Sequence, residues 1–279
     1  MLPLLRAIAS RKQISALILA IVSTALIAVA SSAREGGAKP NGMGEPRIPI
    51  LLYHRFGPSV PDAMTVRTAN FAAQLEYLRE NGYRVIPLRE VVAYARGEAR
   101  PPARAVAITA DDGHKTVFTD MAPLVERYRV PVTLFIYPSA ISNASYAMTW
   151  EELRRLKETG LFDIQSHTYW HPNFKVEKRR LSPAKYDAFV RMQLSKSKRV
   201  LDRRLGLNVD MLAWPFGIFD QELIGMARAE GYTAAFTMVR ASVKRGDNVM
   251  ILPRYLMTDE MRGRAFAKFI ERATAPARN

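Results

Sequence analysis

From Ile48 onward, short apolar and β-branched runs alternate with amphipathic stretches, and this alternation leaves the chain few architectures to choose from. Ile48–Tyr53, Tyr83–Ile86, Ala105–Thr109, Val132–Ile136, Asp163–Gln165, Asp210–Trp214 and Tyr232–Met238 read as strands. Between them, helical spacing runs over 70–81, 88–95, 117–128, 149–160, 183–205 and 221–230. Thr149 with Glu152 has the pattern of a capping box, while Ser182–Pro183 opens and Gly206 stops the longest helix. Strands separated by helices run parallel, with the helices on the outside of the sheet. About seven such repeats predict an α/β fold, a distorted (β/α)7–8 barrel.

In such a fold the chemistry gathers where the strands end. His54 follows the first strand, Asp111-Asp112-Gly113 closes the third, and Trp214-Pro215-Phe216-Gly217 follows the sixth. Of the 4 histidines in the chain, His167 and His171 sit together in Ser166–Pro172, after the fifth strand. Pro172 disfavours a helix there and places the pair on a loop. Two neighbouring carboxylates in a poorly solvated site repel each other unless a cation neutralises one. One aspartate plus two imidazoles fills three positions around zinc and leaves a fourth for water, as in catalytic zinc sites. Cobalt or nickel would also suit these donors. With 0 cysteines, thiolate ligands, disulfides and a cysteine nucleophile are all excluded.

A hydrophobic content of 48% in 279 residues supports one catalytic domain, expected over 48–272 with a short tail over 273–279. The formal net charge is +15, yet the basic residues are spread along the chain and are densest between Lys175 and Arg204. No zinc-finger spacing or aromatic RNA-binding signature accompanies them, so no nucleic-acid partner is expected and the basic run reads as a solvated helix face. Residues 1–33 combine Arg6, Arg11 and Lys12 with an apolar run from Ile14 to Ala30, the pattern of an export signal that is either cleaved or kept as a membrane anchor. Residues 34–47, rich in Gly, Pro and charge, read as a flexible linker. The protein is therefore expected in the periplasm, in the cell envelope or outside the cell, and at the membrane if the segment is retained.

Three segments together resemble the first three motifs of the polysaccharide deacetylases, carbohydrate esterase family 4 with its NodB-like domain: Thr109-Ala-Asp-Asp-Gly113, Ser166-His-Thr-Tyr-Trp-His-Pro172 and Trp214-Pro-Phe-Gly217. Leu51-Leu-Tyr-His-Arg55 and the stretch Asn70–Leu75 resemble the branch that deacetylates poly-N-acetylglucosamine. The resemblance implies that Asp111 is the general base and that Asp112, His167 and His171 hold a divalent metal, with the Phe216 N–H meeting the oxyanion. The substrate it implies is an N-acetylated polysaccharide of the envelope or a secreted one. Trp214 and Tyr169 are candidates to stack on sugar rings, and His114 to line the cleft. In this sequence Ala213 stands where the family often has an arginine that orients the base; Arg254, in Leu252-Pro-Arg-Tyr255 near another strand end, is the candidate to replace it. No histidine follows His171, so the family's late general acid is missing, and His54, His114, the proton held by Asp111 or water must protonate the leaving amine. Those departures keep alternatives open: an O-acetyl polysaccharide esterase, a glycan-binding relative without catalysis, or an envelope tethering protein.

Overall fold

The computed structural model describes residues 45–276. The expected export segment over 1–33, most of the linker and the last residues of the tail lie outside the described residues. In chain order the elements are β1 (Ile50–Tyr53), β2 (Arg55–Gly57), β3 (Thr65–Arg67), α1 (Thr68–Glu80), β4 (Arg84–Val85), α2 (Leu88–Arg96), β5 (Ala105–Asp111), α3 (Ala122–Tyr128), β6 (Val132–Ile136), α4 (Trp150–Glu158), β7 (Phe162–Ser166), α5 (Phe174–Arg180), α6 (Pro183–Leu205), β8 (Met211–Ala213), α7 (Gln221–Ala229), β9 (Ala234–Phe236), β10 (Tyr255–Leu256) and α8 (Gly263–Thr274).

The main sheet has 8 strands in the order β10-β1-β5-β6-β7-β8-β9, with β4 added beside the start of β5. Its ladders are parallel. The sheet curls, and the bridge between Phe236 and Leu252 joins its two ends, so the distorted barrel is present in incompletely closed form. β2 and β3 form a separate parallel pair above β1.

All seven residues of β5 are buried, because a central parallel strand is covered on both faces and can therefore read as a continuous apolar run. Alternation still sorts its side chains. Val106, Ile108 and Ala110 belong to the large cluster under the helices, whereas Ala105 and Ala107 join Phe135, Ala213 and Phe236 in the second cluster. A period of two residues then puts Thr109 and Asp111 on the same side as Ala105 and Ala107. The residue that ends β5 is thus a carboxylate aimed at the barrel interior.

The helices obey their local signals. Thr149 accepts from the Glu152 N–H at 3.2 Å while the Glu152 carboxylate accepts from the Thr149 N–H at 2.7 Å, which closes the capping box. Thr149→Ala is expected to cost about 1 kcal/mol, read as a lower urea midpoint at unchanged slope. Gly206 ends α6 with φ 62°, a left-handed conformation in which a side chain is strained.

Several elements depart from the sequence reading: β2, β3, β10 and α8 have no counterpart in it, and two further stretches differ in detail. The helix expected over 117–128 begins as a π-helical turn, Val117–Met121, before α3. Thr116 and Asp120 are tied to the Phe56 N–H and to the Thr68 hydroxyl, so this turn follows its tethers. The basic stretch after Pro172 also contains the separate helix α5, capped by the Asn173 side chain and docked through Phe174 and Glu177.

Candidate active site

The ends of β1, β5, β6, β7 and β8 meet around one cavity of about 460 Å³, lined among others by His54, Asp111, Asp112, His167 and His171. β1 delivers His54, β5 delivers the aspartates, and β7 delivers the histidine loop. Gly113 lets the chain leave the site: its φ is 74°, and an added Cβ would lie 3.0 Å from Ile136 and 3.1 Å from Ile141.

Asp112, His167 and His171 offer ligand atoms that all lie within 4.8 Å of one another. The His167 Nε2 and His171 Nε2 stand 3.7 Å and 3.8 Å from the Asp112 Oδ1. His167 Nδ1 lies 2.8 Å from the Ala213 carbonyl, which can only accept, so Nδ1 carries the proton and the Nε2 lone pair faces the cluster. Burial pushes the His167 imidazole down to about 3, keeping it neutral as a ligand must be. Burial likewise lowers His171. Burial raises the Asp112 carboxyl, and the charge of Asp111 adds to the rise. A carboxylate driven up in this way, beside two neutral imidazoles, fits a divalent cation as the missing positive charge.

Asp111 is handled differently. It is 2% exposed, and Arg254, at 0%, grips it with Nη1 to Oδ1 at 2.8 Å and Nη2 to Oδ2 at 2.7 Å. Burial pushes the Asp111 carboxyl up, but the Arg254 guanidinium outweighs it and holds the group below the ordinary carboxylate range. The Arg254 guanidinium is itself anchored, Nε donating to the Thr237 carbonyl at 3.0 Å with the Phe135 ring 5.3 Å away. The sequence reading puts Arg254 near a strand end; it directly precedes β10, fully buried. Ala213, at the position where an arginine was expected, is a fully buried member of the interior cluster.

The remaining sequence candidates separate. His54 is 8% exposed and lines the same cavity. Burial lowers its imidazole, against Asp111 and Asp112, which raise it. His114 lines a neighbouring cavity of about 340 Å³, its Nδ1 bonded to the Thr116 hydroxyl at 2.8 Å. Phe216 is 56% exposed at the rim, with φ 55° and its ring 4.5 Å from that of His171.

Trp214 and Tyr169 must be corrected as stacking residues. Trp214 lines the cavity yet is 0% exposed, its indole N–H donating to the Met250 carbonyl at 3.0 Å, so it leaves no open face for a sugar to stack on. Tyr169 turns toward α6, where the Lys196 Nζ lies 4.0 Å from its ring centroid. Tyr137 and Tyr146, joined hydroxyl to hydroxyl at 2.8 Å, are the aromatic residues at the cleft, with Trp170 exposed beside His171. The sequence reading passed over Tyr137 although it follows the end of β6, the same strand-end signal that located the other site residues.

A family model described as polysaccharide deacetylase matches residues 98–235, which include both aspartates and both loop histidines but stop short of Arg254. The poly-β-1,6-N-acetyl-D-glucosamine N-deacetylase of Staphylococcus aureus is 24% identical over 213 residues, covering 75% of this chain and 71% of that protein. Among solved structures, the Streptococcus pyogenes deacetylase PplD in complex with acetate superposes with a TM-score of 0.73 at 20% identity, covering 81% of this chain and 99% of that one. IcaB from Ammonifex degensii superposes with a TM-score of 0.72 at 24% identity, covering 82% and 98%.

Proposed function

The chain belongs to the polysaccharide deacetylase family, and on that premise we propose that it is a metal-dependent N-deacetylase that releases acetate from a poly-N-acetylglucosamine of the cell envelope or a secreted one. The observation that carries this reading is the contrast between adjacent carboxylates. Asp111 is kept ionised by Arg254, whereas Asp112 is left to share a cation with His167 and His171. One serves as a base and the other as a ligand. The similarity to the Staphylococcus aureus enzyme supports the polymer, and nitrogen and oxygen donors support zinc, with cobalt or nickel as workable substitutes.

A divalent ion held by Asp112, His167 and His171 would polarise the acetamide carbonyl and acidify water beside it. The other steps belong to the side chains. Asp111, fixed in orientation by two guanidinium bonds, takes the proton of the attacking water. The Phe216 N–H at the rim receives the developing oxyanion. Burial lowers the His54 imidazole and so disfavours the cationic form that could hand a proton to the amine. The proton that Asp111 has taken is therefore the one returned to the leaving amine, and a single carboxylate works in both directions.

The apolar run Ile14–Ala30 behind basic residues fits export, with the catalytic domain acting in the envelope or beyond it. Among the described residues no helix is long and apolar enough to cross a membrane, so any membrane attachment falls to residues 1–33. Fractionation of cells expressing the full chain tests this; recovery in the cytosol would refute it.

The central test is acetate release from N-acetylglucosamine oligomers by metal-stripped and zinc-reloaded protein. Stripping is expected to abolish release and zinc to restore it. His167→Gln is expected to lose the stoichiometric ion and at least about 100-fold in activity. Full activity after stripping would overturn the metal-dependent reading. Absence of release from every N-acetylated oligomer, with release from an O-acetylated polysaccharide, would replace the amide substrate by an ester.

A further inference from the structure

The loop between the two metal-ligating histidines is held in an unfavourable conformation. Thr168 and His171 have φ 63° and 61°, values that non-glycine residues seldom adopt and that persist only where the surroundings enforce them. Two backbone bonds tie the loop to the end of β6 and the turn after it, the His167 N–H to the Ile136 carbonyl at 2.8 Å and the Ser139 N–H to the Tyr169 carbonyl at 3.0 Å. The Thr168 N–H is taken by the Ser166 hydroxyl at 3.2 Å, the Trp170 N–H by the Gln193 Oε1 at 3.0 Å, and the His171 N–H by the Thr168 hydroxyl at 3.2 Å. Three loop donors are thus answered by side chains.

Those side chains are themselves braced from outside the loop. The Ser166 hydroxyl lies 2.8 Å from the Ser197 hydroxyl and 2.8 Å from that of Tyr232, which also reaches the Leu194 carbonyl at 3.0 Å. Gln193 and Ser197 are four residues apart on α6, both 0% exposed, on a face otherwise built from Tyr186, Val190, Leu194, Leu201 and Leu205. Polar side chains on a buried helix face cost stability unless their bonds are used, and the Gln193 Nε2 has no partner among the described residues. Packing α6 against the sheet needs only apolar residues there. What Gln193 supplies is the acceptor for Trp170, the residue next to His171.

We propose that Gln193, Ser197 and Tyr232 are positioning residues for the metal site: through Ser166 and the Trp170 N–H they lock the loop so that His167 and His171 face Asp112 before any ion arrives. The inference rests on the metal-binding reading above. Without the bracing, the loop relaxes toward ordinary backbone angles and the two imidazoles diverge. The ion then has to bear the cost of gathering them, and affinity falls while the fold persists.

The test uses the full chain with Gln193→Met, Tyr232→Phe and, as a control, Tyr94→Phe, whose hydroxyl is bonded to the Pro46 carbonyl far from the site. Zn²⁺ affinity is measured by competition with a chromophoric chelator, the visible spectrum of the Co²⁺-loaded protein is recorded, and the metal-free forms are melted. Gln193→Met and Tyr232→Phe are expected to bind Zn²⁺ roughly 10- to 100-fold more weakly with altered Co²⁺ bands. Their metal-free forms should melt within about 4 °C of the unaltered metal-free chain. The control should bind as the unaltered chain does. Unchanged affinity in both variants, with the unaltered chain binding one ion, overturns this inference alone. An equal loss in all three variants overturns it too, by showing a general softening. Failure of the unaltered chain to bind any ion removes the metal reading and this inference together.

Discussion

Asp111→Asn is expected to reduce acetate release by roughly 10²- to 10⁴-fold in the zinc-loaded protein, the usual contribution of a positioned general base. The amide keeps the shape of the side chain but cannot take a proton from water. Because Asp111 is not part of the ligand cluster, the variant is expected to retain one tightly bound ion. Asp112→Asn should behave in the opposite order, losing the ion first and activity as a result. The pair of measurements, ion content and rate, assigns the two roles. Asp111→Asn retaining more than a tenth of the activity would remove it as the base and leave the proton to another group of the cavity, with His54 the first candidate.

The second large effect concerns Arg254. Its charge and that of Asp111 are both buried, so removing one partner strands the other in a poorly solvated interior. Arg254→Met is expected to destabilise the fold by about 3–5 kcal/mol, measured by urea unfolding. The Asp111 carboxyl is held below its unfolded value, so the pair contributes fully to stability above the unfolded value and the contribution is lost as pH falls through the folded one. In Arg254→Met nothing opposes the upward push of burial as strongly, and the acidic limb of the pH–rate profile should move to higher pH. Arg254→Lys keeps the charge but loses the fork, and should recover part of the stability without the full rate. Replacing both partners, Arg254→Met with Asp111→Leu, should restore much of the lost stability while leaving the enzyme inactive. If Arg254→Met unfolds at the same urea concentration as the unaltered chain, the buried pair is not what holds this end of the barrel.

Much of the architecture was legible because its signals are local. The seven predicted strands coincide with observed ones to within a few residues, since parallel strands buried on both faces are short apolar runs that little else imitates. Thr149 with Glu152 and Ser182–Pro183 with Gly206 bounded their helices because caps are satisfied by neighbours in sequence. The candidate ligand cluster was legible for a related reason: Asp112 follows one strand, His167 and His171 follow another, and strand ends in such a fold lie on one face. The short β10 gave no such signal, being two residues long and recognisable only by its pairing with β1.

The sequence by itself determined the alternation of elements, the parallel curled sheet and the residues that gather at its mouth, because these follow from periodicity and from where each strand ends. Only the tertiary structure decided how the side chains divide the work. Arg254 meets Asp111 across 143 residues, and no local pattern encodes an approach over that separation. Trp214 is buried and Tyr169 turned away, because the direction of a side chain at a loop or strand end depends on what packs against it. The left-handed angles at Thr168 and His171 are braced by Gln193, Ser197 and Tyr232, which read in sequence as unremarked positions on a helix and at the start of a strand. Motifs name the groups that do the chemistry, and long-range packing fixes their charge, their direction and their company.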